Sequence, residues 1–257
     1  MTDTFLVVSD LDGTLLGDDA ALERFAAWHD RNRDRILLVY SSGRLINSVR
    51  ESLATSPLPA PVAIVGGVGT DIRWLPKFHS PPDWPRVRGP TWSRESVRMA
   101  LTGIRGLAMQ RKEFQSAWKV SYHYRRATTE QLAEIHRRVA EAGLSAEIVY
   151  SSQRDLDILP AGIHKGSAAR FIARRLRISP RRLIVCGDSG NDASLLQIPA
   201  YGVIVGNAQD ELKHCATPRT YLAETPFAAG VLEGLLYWLP RMMVETNIGH
   251  RVSFRRL

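Results

Sequence analysis

Only two cysteines, Cys186 and Cys215, occur along the chain. That is too few for a disulfide framework and points to a reducing compartment. Long hydrophobic runs are also missing, since no apolar stretch approaches the roughly 20 residues that a membrane-spanning helix needs. The opening "MTDTF" has neither a basic n-region nor a cleavage site. No signal peptide is therefore expected, and the cytoplasm is the default location. No RNP, zinc-finger or helix-turn-helix signature is found. Acidic residues are the scarcer charge, 26 Asp and Glu against 34 Lys and Arg, for a net charge of +8. Such an excess attracts anions, but the basic residues are scattered. Their densest run, "ARRLRISPRR" from Ala173 to Arg182, reads as a helix end and loop. Neither nucleic acid nor a membrane is expected as a partner, and a phosphorylated small molecule suits the charge.

With 257 residues, 44% of them hydrophobic, the chain can bury a sizeable core, as one large domain or as a core with an insertion. "TFLVVS", "RILLVYS" and "VAIVGG" are short apolar runs of strand length. Between them lie two helical patterns. In one, Asp18 and Asp19 can cap a helix whose Leu22, Phe25 and Ala26 share a face; in the other, Leu45, Val49 and Leu53 recur at helical spacing. This β-α-β-α-β rhythm predicts a parallel sheet with helices on both faces. It breaks at the proline-rich "HSPPDWPRVRGP", His79 to Pro90, which reads as a hinge or linker. Beyond it come a helix near Ser93 to Leu101, an alternating "WKVSYHY", a helix with a Thr128/Gln131 capping box and a closing Gly143, and strands "AEIVYS" and "LDILP". The βα rhythm resumes after Pro160 with a helix from about Lys165 to Leu176, strands in "RLIVCGDSGND" and "YGVIV", and the helix "AAGVLEGLLYWL". The last seventeen residues show no pattern and read as a tail or an oligomer contact. The expected fold class is α/β: a doubly wound, Rossmann-like parallel sheet, residues 1–79 and 160–257, with an inserted α+β cap domain, residues 80–159.

Ligands of a doubly wound sheet bind at the carboxyl ends of its strands, and four segments put polar residues there. In "DLDGT", Asp10 can attack phosphorus and Asp12 can protonate a leaving oxygen and then activate water. The same residues also read as a helix N-cap and a turn aspartate. In "YSSGR", Ser42 and the backbone N–H groups from Gly43 onward suit a phosphoryl oxygen, or Ser42 merely caps the next helix. In "HKG", Lys165 can neutralise a phosphoaspartate or be a solvated lysine, and His164 reads as a turn or surface residue. In "CGDSGND", Asp188 and Asp192 bracket a glycine-containing loop suited to a hard cation, or form an acidic turn before a helix; Cys186 reads as a buried strand residue.

Taken together and in this order, the four segments resemble the haloacid dehalogenase superfamily of phosphohydrolases, of the type with a large α/β cap between the second and third motifs. "LDGTLLGDDAAL", "VGGVGTDI", "WKVSYHY", "SSQRDLDILP" and "GVIVGNAQDEL" are similar to the sucrose-phosphatase family over nearly the whole chain. The resemblance implies a Mg²⁺-dependent phosphatase that hydrolyses a disaccharide phosphate, sucrose 6-phosphate first, through an aspartyl-phosphate. It implies Asp10 as nucleophile, Asp12 as general acid/base, and Ser42 and Lys165 as further catalytic residues. The metal would be held by Asp10, the Asp12 backbone carbonyl, Asp188 and Asp192, and the phosphate by Ser42, Gly43, Lys165 and Asn191. The cap would read the sugar, with Gln110, Gln115, Trp118, Lys119 and Tyr122 as candidates; "WKVSYHY" also reads simply as a half-buried strand. "SSGR" departs from the more usual "ATGR", and "IHKG" from an asparagine-containing version. "SGRL" and "VGGVGT" are also similar to relatives acting on mannosylfructose phosphate. A mutase of related fold and a non-catalytic sugar-phosphate-binding partner of a synthase are the other readings, and a cognate sugar-phosphate synthase is the candidate protein partner.

Overall fold

The computed structural model describes residues 4–84 and 92–253, the side chains as far as residue 244. Chain order builds two sheets. The larger comes from β1 (Phe5–Ser9), β2 (Ile36–Ser41), β3 (Ala63–Gly66), β4 (Asp71–Trp74), β9 (Leu183–Gly187), β10 (Tyr201–Ile204) and β11 (Thr220–Leu222), in the order β11-β10-β9-β1-β2-β3-β4. Every pairing in it is parallel except β3 with β4. β1, β2 and β9 are near-continuous apolar runs because a parallel strand is covered on both faces. The chain steps outward from β1 to β4 and returns on the other side of β1 as β9. The order therefore reverses beside β1, which opens a crevice at the strands' carboxyl ends. Register brings those ends level: Ser9 pairs with both Tyr40 and Cys186, so Asp10, Ser41 and Gly187 follow at one edge.

Helices α1 (Asp19–Asn32), α2 (Ile46–Thr55), α5 (Lys165–Arg175), α6 (Ala193–Leu196), α7 (Asp210–Lys213) and α8 (Phe227–Ser253) accompany this sheet. Asp18 caps α1 by accepting from Ala21 N at 3.0 Å, and the helix buries Leu22 and Phe25. The smaller sheet, wholly antiparallel, has the order β5 (Ala108–Met109), β6 (Val120–His123), β8 (Asp155–Pro160), β7 (Ala146–Ser151). Helices α3 (Arg94–Ala100) and α4 (Thr129–Glu141) belong with it, α4 opening on the Thr128/Gln131 capping box. Val97, Val120, Ile135, Val139, Leu156 and Ile158 form a core of their own, separate from the core of the large sheet.

Several local expectations are revised. The strand in "WKVSYHY" is only Val120–His123, leaving Trp118 outside it. The short strands β4, β5 and β11 and the one-turn helices α6 and α7 had no legible pattern. Residues 85–90 of the proline-rich stretch lie outside the described residues, as do residues 254–257 of the expected tail. The rest of that tail is helix: α8 continues through Pro240 to Ser253. A proline inside a helix costs about 3 kcal/mol, but Leu235, Trp238, Leu239 and Met242 keep one buried face across it at i, i+3, i+4 and i+7. Met242→Ala is expected to lower stability by about 2–5 kcal/mol in urea unfolding; a cost near zero would mean that the helix beyond Pro240 is not packed.

Candidate active site

The site begins where β1 stops. Asp10 extends the ladder by one residue, its N–H donating to Cys186 O at 3.0 Å, and the residue is 3% exposed. The chain then folds back, with the amides of Thr14, Leu15 and Leu16 all donating to Leu11 O. Gly13 makes this turn at φ +79°, and a Cβ there would lie 2.5 Å from Asp188 Oδ2. Backbone conformation and packing thus both call for glycine. Thr14 Oγ1 donates to Asp188 Oδ1 at 3.0 Å, tying the turn after β1 to the end of β9.

Lys165 is the first residue of α5 and is wholly buried. Its Nζ lies 2.7 Å from Asp10 Oδ1 and 2.7 Å from Asp192 Oδ1. His164, read from sequence as a turn or surface residue, is the N-cap of that helix and accepts from Ser167 N at 3.1 Å through Nδ1. Asp192 Oδ2 accepts from the amides of Asp188 and Ser189, closing the loop after β9. Cys186 is a buried residue of β9.

Electrostatics follow from this count of charges. Ligand oxygens of Asp10, Asp188 and Asp192 all lie within 4.8 Å of one another, and one lysine faces three carboxylates. Burial pushes Asp10 well above the ordinary carboxylate range; Lys165 opposes the shift, while Asp192 and Asp188 add to it. Burial and Asp192 push Asp188 up to about 7. For Lys165 burial acts downward, but Asp10 and Asp192 outweigh it and hold the ammonium charged. Clustered carboxylate oxygens with uncompensated negative charge are what a hard divalent cation requires. Among the described residues no group hydrogen-bonds the buried Oδ1 of Asn191. The donor set fits such an ion.

Around this cluster lies a cleft of about 300 Å³ between the two sheets. Asp12 sits on its rim, 58% exposed, with Oδ2 2.8 Å from Arg44 Nε. Gly43, Arg44 and Asn191 reach the cleft wall, whereas Ser42 is buried and absent from that lining. Ser42 Oγ accepts from Arg44 N at 3.0 Å. It does not cap α2, whose N-cap is Leu45 with no side-chain bond.

Of the residues expected to read sugar, the structure brings Gln110 and Lys119 to the cleft. Gln110 donates to Asp155 Oδ1 at 2.9 Å, and Lys119 to Asp157 Oδ1 at 2.9 Å. The other three are held elsewhere. Gln115 is spent on Gln110 O, Ser121 O and Ser121 N, Tyr122 is buried in the smaller core, and Trp118 lines a different groove with Phe78 and Trp84. Sequence reasoning missed Arg44, His123, Arg154, Asp155 and Asp157, all on the cleft. For the last two a signal existed: in "DLDILP" acids alternate with Leu156 and Ile158, which face the core.

Solved structures of the same architecture define the class first. A haloacid dehalogenase subclass IIB sugar phosphatase matches 83% of this chain and 92% of its own, with a TM-score of 0.61 at 18% identity, a likeness of fold alone. The fold is that of the haloacid dehalogenase-like hydrolases. The family model for sucrose-6F-phosphate phosphohydrolase matches residues 3–239, and the chain belongs to that family of phosphoric monoester hydrolases. It is 37% identical over 238 residues to the mannosylfructose-phosphate phosphatase of Agrobacterium fabrum, covering 91% of this chain and 96% of that protein. It is 33% identical over 246 residues to sucrose-phosphatase 2 of Nicotiana tabacum, covering 90% of this chain but only 58% of the tobacco protein. The sucrose-phosphatase of Synechocystis sp. PCC6803, solved with sucrose and phosphate, superposes with a TM-score of 0.86 at 32% identity over 93% of this chain and 98% of that one.

The raised carboxylates fix a pH dependence. Asp188 titrates near 7 in the folded chain against 3.8 for a free side chain. The folded state therefore holds a proton that the unfolded state has lost, and without cation this contribution to stability falls as pH rises from about 4 to about 7. A divalent cation replaces that proton, so its stabilising effect must grow with pH. Excess Mg²⁺ is expected to raise Tm more at about pH 8 than at about pH 5; equal increments would contradict the charge count.

Proposed function

We propose that the chain is a Mg²⁺-dependent disaccharide-phosphate phosphatase, with sucrose 6-phosphate as its first substrate. The observation that carries this reading is the buried Lys165 bridging Asp10 and Asp192 beneath a two-sheet cleft that Asp10, Asp12 and Asp188 line. Mannosylfructose phosphate is the second reading, favoured by the 37% identity to the Agrobacterium enzyme over nearly its whole length. Residues 80–159 act as the cap that selects the sugar, over a core of residues 1–79 and 160–257. Cytoplasmic residence and a synthase that supplies the substrate belong to the same reading.

The chemistry uses the chain's own groups in two steps. A carboxylate oxygen of Asp10 attacks phosphorus, an aspartyl-phosphate forms, and the bond to the sugar oxygen breaks as Asp12 donates its proton to that oxygen. Asp12 then takes a proton from water, which attacks phosphorus and releases inorganic phosphate and free Asp10. Lys165 holds the Asp10 carboxylate in place and balances its charge. Lys165, Asn191 and Gly43 receive the phosphoryl oxygens, with Ser42 bracing the loop that carries Gly43. Mg²⁺, held by Asp10, Asp188, Asp192 and the Asp12 carbonyl, supplies positive charge against the phosphoryl group when bound. On the opposite wall, the paired donors and acceptors of Gln110, His123, Asp155, Lys119 and Asp157 suit a polyol. Closing that wall over the site excludes bulk water.

Phosphate release tests the reading, with sucrose 6-phosphate, mannosylfructose phosphate and simple hexose phosphates compared with and without Mg²⁺. Fast Mg²⁺-dependent release from one disaccharide phosphate is expected; equal slow release from all would refute the role given to the cap. Asp10→Asn is expected to lower turnover by at least about 10⁴-fold while leaving fold and stability nearly intact, because Asp192 still pairs with Lys165 and the amide oxygen can still accept from its Nζ. Retained turnover, with deamidation excluded by mass spectrometry, would refute the nucleophile.

A further inference from the structure

Glu211, in α7, lies outside the set of carboxylates used so far. A single oxygen of it, Oε1, accepts two backbone N–H groups: Ser152 N of the smaller sheet at 2.7 Å and Gly190 N of the larger at 2.8 Å. Ser152 is at the tip of the β7–β8 hairpin, and Ser151, Ser152 and Arg154 line the cleft. Gly190 opens the turn that carries Asn191 and Asp192. The junction leaves no spare room: a Cβ on Gly190 would lie 2.6 Å from Tyr150 O and 2.8 Å from Glu211 Oε1.

The hairpin tip does not hold its shape cheaply. Ser152 and Gln153 both have positive φ, 53° and 48°, and Arg154 N donates to Ser151 O, as in a two-residue type I′ turn. That turn favours Asn-Gly, and neither residue here is one of them. Non-glycine residues persist in this region only where their surroundings over-determine them, and the bond to Glu211 is such a constraint.

We infer that Glu211 is a positioning residue, a clasp that fastens the cap's hairpin tip to the loop bearing Asn191 and Asp192 when the cap wall is closed over the site. This rests on the phosphatase reading for its kinetic test but not for its structural one. Neighbouring bonds serve the core alone: Gln209 N donates to Asp188 O and Asn207 Nδ2 to Gly13 O. Glu211 extends that bracing to the cap.

The test compares Glu211→Ala, Glu211→Gln and Gly190→Ala on a disaccharide phosphate and on p-nitrophenyl phosphate, with amide exchange followed by NMR. Glu211→Ala is expected to lower kcat/KM for the disaccharide phosphate about 20-fold, mostly through KM, because the hairpin tip meets the sugar end. p-Nitrophenyl phosphate, which has no sugar, should lose clearly less. Glu211→Gln keeps the accepting oxygen and should stay within about threefold of wild type, whereas Gly190→Ala should reproduce the KM effect from the other side of the junction. Equal losses on both substrates, or a Gln variant as impaired as the Ala variant, would overturn the assignment. If wild type fails to hydrolyse any disaccharide phosphate, the functional reading fails while exchange still decides the clasp. The amides of Ser152 and Gly190 should be protected together in wild type and released together in Glu211→Ala. A Ser152 amide that exchanges in wild type like that of a free turn refutes the clasp, even should the alanine variant not fold.

Discussion

A fully buried ammonium between two buried carboxylates is the constraint on which this architecture turns. Lys165 has no water to solvate it, and it persists because Asp10 and Asp192 each lie 2.7 Å from its Nζ. Buried charges are costly unless paired and hydrogen-bonded, so the elements that carry these residues cannot drift apart. β1 must sit beside β9, α5 must begin at its His164 cap, and the loop after β9 must close on Asp192. The same three side chains tie together β1, α5 and the loop after β9. That lysine meets only part of the negative charge; burial first, and the surplus charge after it, raise Asp10 and Asp188, and the cluster calls for a cation.

The two sheets divide the remaining work. The parallel sheet holds the clustered carboxylates of Asp10 and Asp188 just past its strand ends, where the backbone ladder limits their motion. The antiparallel sheet has its own apolar core on one side and turns Lys119, His123, Asp155 and Asp157 toward the cleft on the other. Most of these polar groups are already paired with one another, so the wall is preorganised.

Legibility in the sequence followed the same division. Asp10, Asp188 and Asp192 stand in short segments after β1 and β9, and parallel register carries such segments to one edge whatever lies between them. Lys165, 155 positions from Asp10, instead opens α5 just after the smaller sheet, and its place beside Asp10 was legible from the "HKG" motif and not from strand register. The wall from the smaller sheet was harder to read. Alternation in "WKVSYHY" separates two faces but does not say which of them meets the cleft, and Trp118 and Tyr122 lie away from it while Lys119 lies on it. Arg44 was passed over because its partner, Asp12, comes from a distant turn. The course of α8 past Pro240 was obscured by a local rule that tertiary packing outweighs, since Met242 is buried on the face that Trp238 begins.

The most direct test of the account is urea unfolding of Lys165→Met against wild type, without divalent cation, at about pH 8. Removing one partner of a buried ion pair leaves its carboxylates uncompensated, and a loss of about 3–5 kcal/mol is expected. Methionine roughly conserves the volume, so the loss would report charge and not a cavity. Unchanged or increased stability would contradict the claim that Lys165 holds the site and the fold together.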